Sequence, residues 1–257
     1  MASEPTPMSS SSIPQAPWVT ARVVIVGDEV LSGEVVDQNG PLLLSLLAAR
    51  GLRVASLSVL PDALEPLATA IREQSRAADW VFVTGGIGPT HDDCTRQAVA
   101  AALGEPLALH PVARERLETI FHRGATPEEW DMSLLPLGAE ILDAPGIVAF
   151  GFAVANVIVF PGVPKLLEPL MLANLRRWNG RPWHRREIET RLREGLVAAP
   201  LAALAAAWPD LRWGSYPELT EEGWRLRLVL RGEDPERLDA AYTSLAEILA
   251  RLGSRNA

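Results

Sequence analysis

Three short strand patterns alternate with three helical patterns in the first part of this chain. The strand patterns cover residues 21–26, 53–60 and 80–84, and each is followed directly by a glycine or a proline. Apolar residues at helical spacing follow each strand pattern, over residues 39–50, 63–77 and 93–103. Short buried strands joined through helices are typical of a parallel sheet with both faces covered. The sequence therefore predicts an α/β fold with three layers, α/β/α, and a mostly parallel sheet.

The rest of the chain predicts a continuation of this unit and then a smaller one. Residues 126–150 are predicted as loops with short strands, and residues 153–160 as one strong strand before a helix. The turn-rich segment WNGRPWH separates residues 18–178 from residues 185–253. In the latter range the pattern is strand, helix, strand, strand, helix. This predicts a small α+β subdomain whose sheet has one exposed face.

Composition excludes several classes of protein. The chain has one cysteine, Cys94, so it has neither an internal disulfide nor a cysteine-based zinc site. A net charge of -8 argues against nucleic-acid binding through bulk phosphate neutralisation. No apolar stretch reaches the roughly 20 residues of a membrane span. We expect no nucleic-acid or membrane partner and a cytoplasmic location. Residues 1–17 are rich in Ser and Pro and are predicted to be a disordered leader, not a signal peptide.

Chemically interesting residues follow the predicted strand ends, where ligands bind in open parallel sheets. After the first strand come Gly27, Asp28 and Glu29, then Asp37 and Asn39. The carboxylate oxygens of these residues are the hard ligands that a divalent cation prefers. Alternatively, Asp37 or Asn39 caps the helix that follows. Asp62 follows the second strand, where by itself it reads as a turn residue that caps a helix.

The third strand runs into the densest group of special residues, TGGIGPTHDDCT, at positions 84–95. Glycines after an apolar strand let backbone N–H groups approach an anion, and the next helix N-terminus adds partial positive charge. The two aspartates that close the loop suggest a metal bridging a phosphoanhydride. The alternative is a tight turn capped by Asp92 or Asp93. Cys94, beside this loop, is interpreted as structural.

The fourth junction is the turn PGVP with the chain's single lysine, Lys165. A lysine in the first turn of a helix opposes the helix dipole, which a nearby anion would offset. Alternatively, Lys165 simply points to water.

Taken together, these motifs resemble one family. The runs are VVIVGDEVLSG with VDQNGPLL, then LPD, then VFVTGGIGPTHDDCTRQAVAAALG, and then FPGVPKLLEPLM. Over residues 20–177 they resemble the molybdopterin-binding-like (MoCF) domain, in the form found in the amino-terminal domain of CinA, the competence/damage-inducible protein, and in eukaryotic FAD synthase. The residues that match the family motif are Gly27, Asp28, Glu29, Asp37, Asn39, Asp62, Gly85, Gly86, Gly88, Pro89, Thr90, Asp92, Asp93, Thr95, Pro161, Gly162 and Pro164.

The resemblance implies a nucleotide pyrophosphatase that cleaves ADP-ribose or FAD with a divalent metal (Mg, Mn or Co) and sometimes potassium. More distant relatives bind or adenylylate molybdopterin, so the expected ligand is a nucleotide or a pterin-nucleotide. Family analogy also suggests a homo-oligomer. A molybdenum-cofactor module and a non-catalytic nucleotide-binding module remain alternatives.

Combining the residues with this resemblance gives a specific hypothesis. Backbone N–H groups of Gly85, Gly86 and Gly88 hold a phosphate, with the Thr90 hydroxyl as a further donor. A divalent metal is held by Asp28, Asp92 and Asp93. Either Asp62 or Glu29 is the general base, so that the predicted catalytic carboxylates are Asp93, Asp62 and Glu29. The predicted substrate-binding residues are Gly27, Asp37, Asn39, Gly85, Gly86, Gly88, Pro89, Thr90, Thr95, Pro161, Gly162, Pro164 and Lys165.

Overall fold

The computed structural model describes residues 18–122, 124–221 and 223–256. The leader predicted for residues 1–17 lies outside the described residues. Elements are numbered below in chain order.

A six-stranded sheet forms the centre of the larger unit, in the order β2-β1-β3-β8-β7-β6. The first four strands in this order run parallel, and β7 and β6 are antiparallel to their neighbours. This confirms the predicted mostly parallel sheet. The strands are β1 (Thr20–Val26), β2 (Arg53–Leu60), β3 (Trp80–Thr84), β6 (Glu140–Ala144), β7 (Ile147–Val154) and β8 (Val157–Phe160). A separate pair consists of β4 (Leu107–Leu109) and β5 (Leu134–Pro136).

Helices cover both faces of this sheet, as predicted. One apolar cluster packs α3, α4 and α5 against one face, and a second packs α2 and α7 against the other. Because β1, β3 and β8 contribute fully buried side chains to both clusters, their sequences are continuously apolar. The helices are α1 (Asp28–Leu31), α2 (Asn39–Ala49), α3 (Leu64–Ala77), α4 (Thr95–Leu103), α5 (Pro111–Phe121), α6 (Pro127–Asp131) and α7 (Pro164–Asn174), followed by a 3-10 turn, Leu175–Arg177.

The prediction of one strand over residues 153–160 is wrong. The chain turns back at Ala155 and Asn156, so that β7 and β8 form an antiparallel hairpin. Ala155 adopts a left-handed φ of 49°, and the Asn156 side chain donates to the carbonyl oxygens of Ser75 and Ala78 at 2.8 and 3.0 Å. Asn156 is the one polar residue within residues 153–160, and a single Asn among apolar residues did not mark the two-residue turn in the sequence.

The smaller unit contains a three-stranded antiparallel sheet in the order β10-β11-β9, and α8 and α9 pack on one of its faces. This confirms the predicted α+β subdomain with its strand, helix, strand, strand, helix order. Its elements are β9 (His184–Thr190), α8 (Glu194–Ala207), β10 (Arg212–Thr220), β11 (Gly223–Gly232) and α9 (Pro235–Asn256). The outer face carries charged cross-strand pairs such as Arg225 with Glu189 and Arg227 with Glu218.

The parallel strands determine where the site lies. β1, β2, β3 and β8 all end at the same edge of the sheet, at Val26, Leu60, Thr84 and Phe160. The four polar junctions of the sequence therefore meet at that edge.

Candidate active site

A cavity of about 640 Å³ opens at this edge of the sheet. It is lined by many of the predicted site residues: Gly27, Glu29, Asp37, Asn39, Asp62, Gly85, Gly86, Gly88, Asp92, Asp93, Pro161, Gly162 and Pro164. Five others are outside its lining: Asp28, Pro89, Thr90, Thr95 and Lys165. Thr95 is fully buried. Its backbone N–H donates to Gly86 O and its hydroxyl donates to Gly85 O, so it supports the loop and does not face the cavity.

Glycine is required where the loop after β3 meets its neighbours. Gly85 has a left-handed φ of 103°, and a Cβ there would lie 2.2 Å from the carbonyl oxygen of Val26. A Cβ on Gly162 would lie 3.2 Å from the Gly85 Cα, so the loops after β3 and β8 touch through their backbones. Because Gly85 and Gly162 have no side chains, the backbones at the ends of β1, β3 and β8 can approach one another closely.

We expect Gly85→Ala to lower the free energy of unfolding by about 2–4 kcal/mol, because it combines a left-handed backbone with a steric overlap. Gly104→Ala is the matched control. Gly104 also has a left-handed φ, of 75°, but no atom lies within 4 Å of its added Cβ, so we expect about 1–2 kcal/mol. Urea unfolding of both variants measures the difference, and equal losses would contradict the close approach of Gly85 to Val26.

Asp93 organises the glycine loop from within. Its Oδ1 accepts from the backbone N–H of Gly88 at 2.7 Å, and its Oδ2 accepts from the backbone N–H of Thr90 at 2.8 Å and from the Thr90 hydroxyl. The carboxylate thus occupies the inside of the turn, where an anion was expected. The structure gives Asp93 the role of a loop organiser, and it engages the Thr90 hydroxyl that was predicted to bind a ligand.

The backbone donors available to a phosphate also differ from those predicted. The N–H of Gly85 donates to Phe160 O at 3.1 Å, and that of Gly88 is bound to Asp93. Within the part of the chain that the structure describes, the N–H groups of Gly86 and Ile87 have no hydrogen-bond partner, and both residues line the cavity. These two donors are therefore the candidate anion site.

Asp62 lies opposite this loop and faces other carboxylates. Its Oδ2 accepts from the backbone N–H of Asp28 at 2.9 Å. Burial raises the pKa of Asp62, the Asp28 hydrogen bond opposes this rise, and the negative charges of Glu29, Asp28 and Asp92 add to it. The alternative role as a helix cap is wrong, because the N-cap of α3 is Ala63 and no side chain caps it. The raised pKa makes the Asp62 carboxylate a better proton acceptor than an ordinary exposed aspartate.

Asp37 and Asn39 attach the start of α2 to the cavity wall. The carboxylate of Asp37 accepts from the backbone N–H groups of Asn39 and Gly40 at 2.9 and 3.0 Å, which is the capping role considered for it. The Asn39 amide donates to Gly162 O at 2.6 Å and to the Thr84 hydroxyl at 3.2 Å. Its Oδ1 is buried and has no partner among the described residues. Asn39 therefore links two loops and keeps one acceptor unused.

The predicted metal ligands do not form a preassembled cage. Within residues 18–122, 124–221 and 223–256, no three His, Cys, Asp or Glu side chains are grouped to hold an ion. Asp28 lies outside the cavity lining, and three of the hydrogen bonds of Asp93 go to the loop. Asp92 is exposed and lines the cavity, so its carboxylate is open to a ligand.

Burial raises the pKa of the Cys94 thiol, and the negative charges of Asp62, Asp93 and Asp92 raise it further. A thiol in such surroundings is a poor nucleophile, so Cys94 keeps its structural interpretation.

The sequence did not reveal two parts of the cavity. One is Arg96, which is the only cationic residue among the described residues that line it. The other is an apolar end formed by side chains from α5, the start of β5 and β7, which the sequence could not bring together: Leu117, Ile120, Met132, Leu135, Ala149, Phe150 and Phe152. Leu117, Leu135 and Phe152 are fully buried, so the accessible surface at this end comes mainly from Ile120 and Met132, which are half-buried.

Lys165 is exposed and lies outside the cavity lining, so the structure favours the solvent interpretation. We expect Lys165→Ala to change nucleotide affinity by less than about twofold, as for a surface substitution. Isothermal titration calorimetry measures this. A tenfold or greater loss would show that Lys165 reaches the ligand.

A mostly parallel three-layer fold with a glycine loop, free backbone donors and carboxylates at its strand ends defines a small-molecule-binding α/β protein. The family model described as "Probable molybdopterin binding domain" matches residues 22–177, and one described as "FAD synthase, middle domain" matches residues 182–254. This chain therefore belongs to the molybdopterin-binding-like (MoCF) family, with CinA-like relatives.

Individual relatives agree with this assignment. A protein of Archaeoglobus fulgidus is 30% identical over 227 residues, which cover 88% of this chain and 96% of that protein. A CinA-like protein of Anaeromyxobacter sp. (strain Fw109-5) is 41% identical over 150 residues, covering 56% of this chain but 37% of the relative. The solved structure of "the protein CinA with unknown function" from Thermoplasma acidophilum is 30% identical, with a TM-score of 0.58 over 62% of this chain and 97% of that one. The described part of the chain has no helix with the length and apolar character of a membrane span.

Proposed function

We propose that this chain binds a nucleotide with a phosphoanhydride in the cavity and hydrolyses that bond with a metal ion. The observation that carries the proposal is Asp62, a carboxyl group with a raised pKa that faces a glycine loop with unused backbone donors. ADP-ribose and FAD are the candidate substrates, in keeping with the CinA-like relatives and with the match to the middle domain of FAD synthase. The chain spans 37% of the Anaeromyxobacter relative, so this proposal concerns the shared domain alone.

Binding is proposed to use both ends of the cavity. The N–H groups of Gly86 and Ile87 donate to one phosphate, as backbone donors at a strand-to-helix loop commonly do. The ring of the nucleotide lies against the apolar end, where Ile120 and Met132 are half-buried and Phe150 is 7% exposed. A volume of about 640 Å³ is within the range of small-ligand pockets, roughly 300–1,000 Å³.

Asp62 is the proposed general base. A water molecule that attacks phosphorus must lose a proton, and a carboxylate with a raised pKa accepts that proton more readily near neutral pH. Glu29 lines the same cavity, and its charge is one cause of the raised pKa of Asp62. We therefore assign the proton transfer to Asp62, whose pKa is raised chiefly by burial.

The donor set fits a divalent ion that arrives with the nucleotide. Magnesium is commonly held by one or two carboxylates together with substrate phosphates, so a cage of three side chains is not needed. Asp92 and Glu29, the carboxylates that line the cavity near Asp62, are the proposed ligands. When bound, the ion would offset charge on the leaving phosphate and acidify water. Potassium and the choice among Mg, Mn and Co remain predictions.

A panel of substrates tests this function. Purified protein would be incubated with ADP-ribose, FAD, NAD and ATP, each with Mg²⁺, Mn²⁺ or Co²⁺ and with EDTA as the metal-free control. We expect metal-dependent release of AMP from at least one dinucleotide. No turnover of any substrate, together with calorimetric binding, would instead support the non-catalytic module.

A molybdenum-cofactor module is the second candidate, favoured by the family description and by an apolar end that suits a pterin ring equally well. Recovery of molybdopterin from the purified protein, or adenylylation of molybdopterin with ATP, would favour it over hydrolysis. The homo-oligomer predicted from the sequence is a separate question, which light scattering answers.

A further inference from the structure

Arg96 lies in the first turns of α4 and connects two walls of the cavity. It is 5% exposed and lines the cavity. Its guanidinium donates to Gly88 O at 3.1 Å and to the carbonyl oxygen of Asp131. Gly88 belongs to the glycine loop, and Asp131 ends α6 immediately before Met132, which lines the apolar end. One side chain thus joins the proposed phosphate end to the proposed ring end.

The Gly88 residue is held from both sides. Its N–H is bound by the Asp93 carboxylate and its carbonyl oxygen by Arg96. With both backbone groups engaged, the orientation of the Gly88 backbone is constrained. The loop before it then leaves the N–H groups of Gly86 and Ile87 for a ligand. The charges of Asp93 and Asp131 oppose the burial that lowers the pKa of Arg96.

The burial of Arg96 costs more desolvation free energy than is needed merely to link two segments by hydrogen bonds. Burying a guanidinium carries a large desolvation cost, and the Nε of Arg96 is buried with no partner among the described residues. Native proteins leave few such groups, and each calls for an explanation. A comparable hydrogen bond forms at the surface without burying the charge, because the guanidinium of Arg72 on α3 donates to Ala101 O at 3.2 Å.

We propose that Arg96 is a positioning residue that sets the spacing and alignment between the phosphate loop and the ring wall. The inference rests on the proposed function, because it assigns those two ends to one nucleotide. Both hydrogen bonds of the Arg96 guanidinium go to backbone carbonyl oxygens, so its assigned role is to position the loop and not to take part in the chemical step. It favours ligands that span both ends over ligands that occupy the loop alone.

Calorimetry with two probes tests this coupling. ADP-ribose spans both ends, and inorganic pyrophosphate occupies the loop only. We expect Arg96→Ala to weaken ADP-ribose binding by about 10- to 100-fold, the size expected for lost hydrogen bonds from a charged donor, and pyrophosphate binding by much less. Arg96→Lys, which lacks the planar fork, should not restore ADP-ribose affinity, whereas added guanidinium ion should partly restore it in Arg96→Ala.

Arg72→Ala is the matched control, because it also removes an arginine that donates to a backbone carbonyl. It should leave both affinities unchanged. Equal losses for both probes in Arg96→Ala, or full affinity in Arg96→Lys, would overturn the positioning role. Circular dichroism of each variant establishes that it is folded.

Hydrogen exchange in the ligand-free protein separates this inference from the proposed function. In Arg96→Ala, amide exchange should rise together in residues 84–95 and 129–135, and in Arg72→Ala in neither. If the wild type binds neither probe, the proposed function fails while the exchange result still decides whether Arg96 joins the two walls. A rise in only one segment, or in none, would overturn the inference.

Discussion

Asp62→Asn should abolish most turnover while making the protein more stable at neutral pH. The loss in kcat is expected to be about 10²–10⁴-fold, the usual contribution of a general base. Asn keeps the shape and can still accept the hydrogen bond from the Asp28 N–H. Stability rises because the substitution removes a half-buried charge that faces Glu29, Asp28 and Asp92.

The pH dependence of this gain follows from the sign of the pKa shift. The folded protein raises the pKa of Asp62 above its ordinary value of 3.8, so ionisation of Asp62 is easier in the unfolded chain. Below pH 3.8 the wild type is protonated at this position and suffers no penalty. The penalty appears as pH rises towards and through the folded pKa. In metal-free buffer, the Tm of Asp62→Asn should therefore exceed that of the wild type at pH 7, and the gap should shrink towards pH 4.

Asp79→Asn supplies a matched control of opposite sign. Asp79 precedes β3 at the far edge of the sheet, and hydrogen bonds from the Thr20 backbone N–H and hydroxyl lower its pKa. Its stabilisation is present at neutral pH and lost as pH falls through the folded pKa. Asp79→Asn should lower the Tm at pH 7 and leave turnover unchanged. An Asp62→Asn enzyme with wild-type kcat would remove Asp62 from the mechanism.

Asp93→Ala should weaken nucleotide binding by about 10- to 100-fold and destabilise the protein by about 2–4 kcal/mol. The substitution leaves the N–H groups of Gly88 and Thr90 without their acceptor, and it removes the charge that Arg96 faces. The glycine loop then loses the conformation that exposes the Gly86 and Ile87 donors. Calorimetric titration with ADP-ribose and urea unfolding measure the two effects.

Asp234→Ala is the control for Asp93→Ala, because Asp234 also accepts two backbone N–H groups, those of Glu236 and Arg237, at 2.9 and 3.1 Å. It precedes α9 in the smaller unit. We expect comparable destabilisation and unchanged nucleotide affinity. If Asp93→Ala bound ADP-ribose as tightly as the wild type, the loop would not be the anion site.

Local chemistry explains which features the sequence could predict. β1, β2 and β3 are strand patterns followed directly by Gly27, Pro61 and Gly85, and parallel strands bring such endings to one edge. The hairpin between β7 and β8 escaped prediction because its turn, Ala155 and Asn156, lies within one apolar run. Motif spacing indicated Asp93 as a site residue, but its role depends on atomic distances to Gly88 and Thr90.

The apolar end of the cavity had no local signal. Ile120, Met132 and Phe150 come from α5, from the segment before β5 and from β7, and only long-range packing brings them to the glycine loop. Arg96 follows the loop closely in sequence, yet an arginine in a helix is ordinarily exposed. Its burial depends on the carbonyl oxygens of Gly88 and Asp131, which are contributed by different elements.

Hydrolysis in oxygen-18 water is the most direct test of the central claim that water attacks a phosphoanhydride in this cavity. ADP-ribose or FAD would be incubated with the protein and a divalent metal in labelled water, and the products analysed by mass spectrometry. We predict two monophosphate products, one of which carries a single oxygen-18 atom, with Asp62→Asn forming neither at a comparable rate. An adenylylated acceptor without label, or no cleavage despite tight binding, would contradict hydrolysis as the function of this site.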